Sequence, residues 1–242
     1  MPGGIKQHPF NQLDGLKKII NKNTAAVVIE LIQGEAGIVP AKKVFINEIK
    51  KLCKKNNALI VIDEVQSGVG RTGHLYAYEK YNIKPDILCS AKGMGNGIPI
   101  GAILTTNKVA KAMQVGAHGS TYGGNPLACS VSYEVFKEVS KKSFLNSVIK
   151  KEKLFISLLN DLNKKYNCFT AVRSAGLWIG LELNSKIENL TLQNIMSSAY
   201  DEGLMILKAN NNTLRLAPAL TISEKEIKLG VKKLEKSLSR LL

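Results

Sequence analysis

The chain has 242 residues, 45% of them hydrophobic and 22% charged, with a mean hydropathy of −0.02, which is the profile of a globular chain able to bury one large or two small cores. Thirty of its 34 basic residues are lysine, and the net charge is +15. The lysines fall on helical faces, and no aromatic-interleaved basic groove or arginine cluster accompanies them, so no nucleic-acid partner is expected.

Four cysteines without a C-x-x-C pair and three scattered histidines argue against a zinc site, any other metal and a disulfide framework. The longest apolar runs are too short for a membrane span, and Met1-Pro2-Gly3-Gly4 lacks a signal-peptide pattern. A cytoplasmic location with no membrane partner is the expectation.

In chain order, Leu13, Leu16, Ile19 and Ile20 recur at helical spacing and predict a helix over 13–23, followed by a buried strand over 25–32. A second helix is predicted over 43–55, with Val44, Ile46, Ile49, Leu52 and Cys53 near one face, then a strand over 58–62. Short strands follow at 87–90 and 100–104. Strands that are apolar without alternation, each separated by helices, predict a mostly parallel α/β sheet covered on both faces.

Helices are predicted over 127–139 and 144–163, after which strands over 168–172, 177–183, 204–207 and 213–216 alternate with helices near 191–202 and 223–241. Ser223-Glu224-Lys225-Glu226 has the S-x-x-E form of a capping box. The division expected is an α/β domain over 1–143 and a smaller α+β domain over 144–242.

Two segments carry chemistry. Leu59-Ile60-Val61-Ile62 runs into Asp63-Glu64-Val65-Gln66, which puts a carboxylate at the carboxyl end of a parallel strand, where open α/β sheets bind ligands. An ATPase strand or a helix-capping Asp has the same look, although the chain contains no G-x-x-x-x-G-K-[ST] loop. Twenty-nine positions later Ser90-Ala91-Lys92-Gly93 ends a second strand, and Gly95-Asn96-Gly97 follows. Against the reading as one more solvated lysine stands the run of small neighbours, which leaves room for a bulky ring beside a desolvated amine. Asp63 and Lys92 together suit pyridoxal 5'-phosphate, with the carboxylate holding the pyridine nitrogen protonated and the lysine binding the cofactor covalently.

These runs, with Ser67-Gly68-Val69-Gly70-Arg71-Thr72-Gly73 and His118-Gly119-Ser120-Thr121-Tyr122-Gly123-Gly124-Asn125-Pro126, resemble the signature set of the fold-type I, class III aminotransferases, and within them the acetylornithine type. The resemblance runs from about residue 9 to the C-terminus. It implies the large domain of a fold-type I transferase followed by a smaller α+β domain. It also implies catalytic roles for Lys92 and Asp63, and a cofactor-binding set of Asp63, Glu64, Val65, Gln66, Lys92 and Thr121. In that set Val65 packs under the ring and Gln66 bonds near its phenolic oxygen; Gln66 also speaks against the related aminomutases.

Ser120 and Thr121 match positions that reach the cofactor phosphate and the substrate of a neighbouring subunit, which implies a homodimer with shared active sites; His118 is read as structural. Arg215, in Leu214-Arg215-Leu216-Ala217-Pro218, matches the arginine that takes a substrate carboxylate, and Glu30 is the expected partner of its charge. Where Leu31 stands the family usually has proline, a departure expected to relax that loop.

The activity implied is transfer of the side-chain amino group of N-acetylornithine, or a close relative, to 2-oxoglutarate in arginine biosynthesis, so small amino and 2-oxo acids are the expected partners. An ornithine or other ω-amino acid aminotransferase is the alternative, as is a noncatalytic remnant. Members of the family have a long N-terminal part that binds the cofactor phosphate, so the resemblance also implies the C-terminal portion of an enzyme, expected to hold cofactor weakly by itself.

Overall fold

The patterning resolves into regular elements in the computed structural model, which describes residues 3–242. In order they are α1 (Leu16–Ile19), β1 (Ala26–Glu30), β2 (Ile32–Gln33), β3 (Val39–Pro40), α2 (Lys43–Asn56), β4 (Leu59–Asp63), α3 (Tyr78–Tyr81), β5 (Ile87–Ser90), β6 (Ala102–Thr105), α4 (Asn107–Ala110), α5 (Pro126–Val139), α6 (Lys142–Tyr166), β7 (Phe169–Ser174), β8 (Ile179–Leu183), α7 (Leu192–Asp201), β9 (Leu207–Ala209), β10 (Thr213–Leu216) and α8 (Glu224–Ser239). Lys92–Gly95 forms a 3-10 turn between β5 and β6. Among the described residues no helix is long and apolar enough to cross a membrane.

Helix ends follow local chemistry. Asn57, Asn82 and Asn167 take the left-handed conformation that stops α2, α3 and α6, a geometry asparagine tolerates better than most side chains. Asn125 Oδ1 accepts from Ala128 N at 3.0 Å, capping α5 ahead of Pro126 at its first position. The capping box of α8 forms, with Ser223 and Glu226 bonding reciprocally.

The helix expected over 13–23 shrinks to α1. Gly15 at φ 87 starts it late, and the side chains of Asn21 and Thr24 bond the carbonyls of Lys18 and Ile19, a local alternative to the helical ladder. On α2 Ile46, Ile49, Leu52 and Cys53 are buried as expected, but Phe45 takes the place expected of Val44, which is 60% exposed. The strand expected over 25–32 breaks at Leu31, and the one expected to start at Leu204 begins at Leu207.

The chain divides into two compact units, and they are not contiguous. The first holds 1–31, 41–69 and 76–139; the second holds 32–40, 70–75 and 140–242. Two excursions from the N-terminal half thus pack with the C-terminal unit, which no contiguous division of the sequence expresses.

In the first unit β1, β4, β5 and β6 form one sheet in that order, parallel except for β6. Phe45, Ile46, Ile49 and Leu52 of α2, with Ile60 and Ile62 of β4, are buried in its core, each contributing about 1.5–3 kcal/mol by leaving water. Coverage fails at the sheet edges, where Val28 is 72% and Ile103 69% exposed.

In the second unit β7, β8, β10 and β9 form an antiparallel sheet in that order. Ile179, Leu181 and Leu183 join Phe155, Leu159, Ile227 and Leu234 of the long helices in one apolar core. Strand alternation then turns Gly180 and Glu182 to the opposite face, over which β2 and β3 and their connecting turn are laid.

Candidate active site

Three strand ends of the first unit line up. Glu30 of β1 is the register partner of Asp63, and Asp63 that of Cys89, so the carboxyl ends of β1, β4 and β5 share one edge. Asp63 Oδ1 accepts from Val65 N at 2.9 Å, a bond to the backbone two residues on that starts a turn. Burial, and after it the charge of Asp63, push the Cys89 thiol above its ordinary range.

The turn after Asp63 is held by Glu64. This side chain is fully buried, and its carboxylate accepts from Ser67 Oγ at 2.7 Å, Ala77 N at 2.9 Å and Tyr78 N at 2.7 Å. Burial pushes the carboxyl above its ordinary range, while those three hydrogen bonds pull the other way. Glu64 thus serves the turn as a buried acceptor.

Gly68 closes the turn by donating to Glu64 O at 2.9 Å. A Cβ there would meet Glu64 O and Tyr76 Cδ1 at 2.8 Å, so only glycine fits. Tyr76 packs over it and reaches Ser90 Oγ through its hydroxyl at 3.1 Å, linking the Asp63 turn to the last residue of β5.

Two residues beyond Ser90 stands Lys92, at φ 46. It is exposed, not desolvated as its small neighbours suggested. Val69, buried, has φ 53, and a Cβ on Gly93 would touch it at 3.6 Å. A β-branched residue and a long side chain both in the left-handed region cost of order 1–3 kcal/mol each, and such strain collects at functional sites. Val65 and Gln66 are half-buried, and Ser120 and Thr121 are exposed. Ser120 Oγ accepts from Gly123 N at 2.8 Å.

In the second unit Arg215 Nη1 donates to Glu35 Oε1 at 2.7 Å. The carboxylate found on Arg215 is therefore Glu35, where the sequence pointed to Glu30, which ends β1 in the first unit. Nor does Leu31 relax its loop, for it is fully buried and its carbonyl accepts from Ala41 N at 2.8 Å and Tyr81 Oη at 3.3 Å. A cavity of about 290 Å³ adjoins Arg215, walled by Phe155, Leu204, Ile206, Leu216 and Val231 among others.

Arg71 Nη1 donates to Leu177 O at 2.8 Å and Pro218 O at 2.7 Å, tying the 70–75 excursion to the segment after β10. Burial pushes its guanidinium down to about 10. Arg173, on β7, escaped the sequence reading because the strand was expected to end at residue 172, which left Arg215 as the sole arginine on a strand of this unit. Among the described residues no group of His, Cys, Asp and Glu is placed to hold a metal ion.

The sequence profile of the family described as aminotransferase class-III matches residues 4–238. The chain belongs to this family. A curated relative of this class-III chain, the acetylornithine/succinyldiaminopimelate aminotransferase of Buchnera aphidicola subsp. Schizaphis graminum, is 48% identical over 241 residues, 100% of this chain and 59% of that protein. The succinylornithine transaminase of Yersinia pseudotuberculosis is 44% identical over 97% of the chain and 56% of its own length. Among solved structures, N-acetylornithine aminotransferase from Stenotrophomonas maltophilia superposes with a TM-score of 0.89 at 33% identity, over 99% of this chain and 63% of that one. The class-III chain thus spans about three fifths of the length of these relatives.

Class-III aminotransferases depend on pyridoxal phosphate, and the donor set of the first unit fits that group. A carboxylate ends one of two adjacent parallel strands and an amine follows the other, and among the described residues, chain neighbours aside, only Val69 stands within 4 Å of where a Cβ on Gly93 would lie.

Proposed function

We propose that the protein transfers the side-chain amino group of N-acetylornithine, or a closely related N-acylated diamine, to 2-oxoglutarate, yielding N-acetylglutamate semialdehyde and glutamate for arginine biosynthesis in the cytoplasm. The observation that carries this is the pairing of strand ends: Asp63 and Cys89 are register partners, and Lys92 follows three residues later. When bound, pyridoxal phosphate supplies an electron sink for the carbon that loses its proton.

The protein's own groups do the rest. Lys92 would hold the cofactor and move the substrate proton, and Asp63 would supply the carboxylate that keeps the ring nitrogen protonated. Val65 and Gln66 would hold the ring, Ser120 and Thr121 would serve the cofactor phosphate and substrate of the neighbouring subunit, and Arg215 would pair with a substrate carboxylate, which must displace or share Glu35 to reach it. An acylated donor is favoured by the names of the relatives, which include acetylornithine and succinylornithine enzymes.

A homodimer with shared sites is part of this reading. It is supported by the exposure of Ser120 and Thr121 in a stretch that also exposes Val115, Tyr122 and Leu127, more apolar surface than a monomer usually leaves in one place.

The test is chemical trapping. Borohydride reduction in the presence of pyridoxal phosphate, followed by peptide mapping, is expected to place the label on Lys92 in preference to the other lysines, and Lys92→Ala is expected to lose it. A label spread evenly over surface lysines, unchanged in Lys92→Ala, would sink the assignment.

A further inference from the structure

The register of the second unit's sheet sets Arg173 of β7, Gly180 of β8 and Arg215 of β10 side by side in one row. Both arginines thus stand on the face opposite the apolar core, their backbones two strand spacings, about 10 Å, apart. The turn from Gly34 to Ile38 lies across this row. Gly180 makes the room, because a Cβ there would come within 2.6 Å of Gly37 O.

Three consecutive residues of the turn are then fastened from below. Glu35 bonds Arg215 at 2.7 Å. Ala36 O accepts from Asn210 Nδ2 at 2.8 Å, and Gly37 O from Arg173 Nε at 2.9 Å. Arg173 is itself aimed by Glu182 at 2.5 Å and Thr213 Oγ1 at 3.5 Å. Ile38 closes the turn fully buried at φ 52, a conformation a β-branched residue keeps only where its surroundings enforce it.

We propose that Arg173 and Asn210 are positioning residues that set how readily Arg215 takes a ligand carboxylate, by fixing the turn that carries Glu35. The inference rests on the reading of Arg215 as the carboxylate site. A carboxylate arriving at Arg215 competes with Glu35 for the same guanidinium. The Glu35 side chain is 72% exposed and has room to leave, whereas Arg215 is 18% exposed. The more firmly the turn is held, the higher the effective concentration of Glu35 at Arg215, and the weaker the binding of a free carboxylate. Arg173 and Asn210 therefore act on Arg215 through Glu35, without touching the ligand.

Glutarate, a plain dicarboxylate, is the probe, titrated by calorimetry against the full chain and its variants at low ionic strength, with the thermal midpoint of each recorded. Asn210→Ala changes no charge, and Arg173→Lys keeps the charge but loses the planar fork that reaches Gly37 O and Glu182 together. Both are expected to bind glutarate about three- to tenfold more tightly than the parent, the worth of one hydrogen bond. Glu35→Gln is expected to gain more, and Arg215→Gln to lose binding.

A gain in affinity is a change that mere loosening of the fold does not produce. Parent-like or weaker binding in both Asn210→Ala and Arg173→Lys, with Glu35→Gln tighter, overturns the positioning role. Binding that persists unchanged in Arg215→Gln, or is absent from every protein, overturns the reading of Arg215 instead.

Discussion

Asp63 and Arg215 both need a fixed position, and the two units provide it over very different lengths of chain. Around Asp63 the bonds are short-range: Val65 N is two residues away, Ser67 three from Glu64, and Ala77 and Tyr78 thirteen and fourteen from it. Around Arg215 the corresponding bonds span 180 residues to Glu35, 174 between Asn210 and Ala36, and 136 between Arg173 and Gly37. A short loop closes at small entropic cost and forms with its neighbours; a long one depends on the whole sheet being assembled first. The first site is thus a property of its own segment, the second a property of the unit.

The sharpest way to break this comparison is Glu64→Ala. It leaves a hydroxyl and two backbone N–H groups without their buried acceptor, and a loss of about 3 kcal/mol in urea unfolding is expected. A loss below about 1 kcal/mol would mean that the Asp63 turn stands without its local acceptor.

The same residue has a pH signature. Its pKa is raised in the folded state, so between the ordinary carboxylate pKa and the raised value the folded protein holds a proton that the unfolded chain has released. Stability contributed by Glu64 is therefore full at the acidic side and falls as pH rises through that window. Glu64→Gln is expected to flatten that slope in thermal unfolding followed against pH.

Next in size is Gly180→Ala, which drives a methyl against Gly37 O, 2.6 Å from the position of its Cβ. Overpacking of this kind costs about 1–3 kcal/mol. Amide exchange should quicken at Gly37 and Ile38, whose N–H groups bond Gly34 O at 3.1 and 3.2 Å, and stay unchanged at Val65. Faster exchange at Val65 as well would show that the two sites are not separately held.

The smallest effect is Ser223→Ala at the start of α8, a purely local cap, expected to cost about 1 kcal/mol in urea unfolding. The Glu226 carboxyl is held below its ordinary range by the N–H and hydroxyl of Ser223. Its contribution is present above the unfolded pKa and lost as pH falls through the lowered folded value, so the variant, which keeps the backbone N–H but loses the hydroxyl, should show a shallower acid limb than the parent. An unchanged acid limb would show that the Ser223 hydroxyl adds nothing to it.

Legibility of the fold followed the same divide. The strands at 59–63 and 87–90 and the helices around Lys43–Asn56 and Glu224–Ser239 were readable because apolar periodicity and capping residues act within a few positions. The helix expected over 13–23 was overestimated because Asn21 and Thr24 offer the backbone other partners, a competition that periodicity ignores. Glu64 shows what a motif leaves out: its bonds to Ala77 N and Tyr78 N, thirteen and fourteen residues on, hold the turn, and nothing in the run beside Asp63 announces them. Glu35 sits in the conspicuous Gln33-Gly34-Glu35-Ala36-Gly37 run, yet nothing in that run says which arginine lies beneath it.

By itself the sequence determined the family, the strand ends beside which Asp63 and Lys92 stand, and the capping box of the last helix, because each is written in residues a few positions apart. Only the tertiary structure decided that residues 32–40 and 70–75 join the C-terminal unit, that Glu35 meets Arg215, and that Arg173 and Asn210 hold the turn between them. Alternation along a strand tells which face a residue takes, but not which distant segment will cover it. That choice is made when the sheet order brings Arg173, Gly180 and Arg215 into one row and leaves, at the glycine, room for another stretch of backbone to approach.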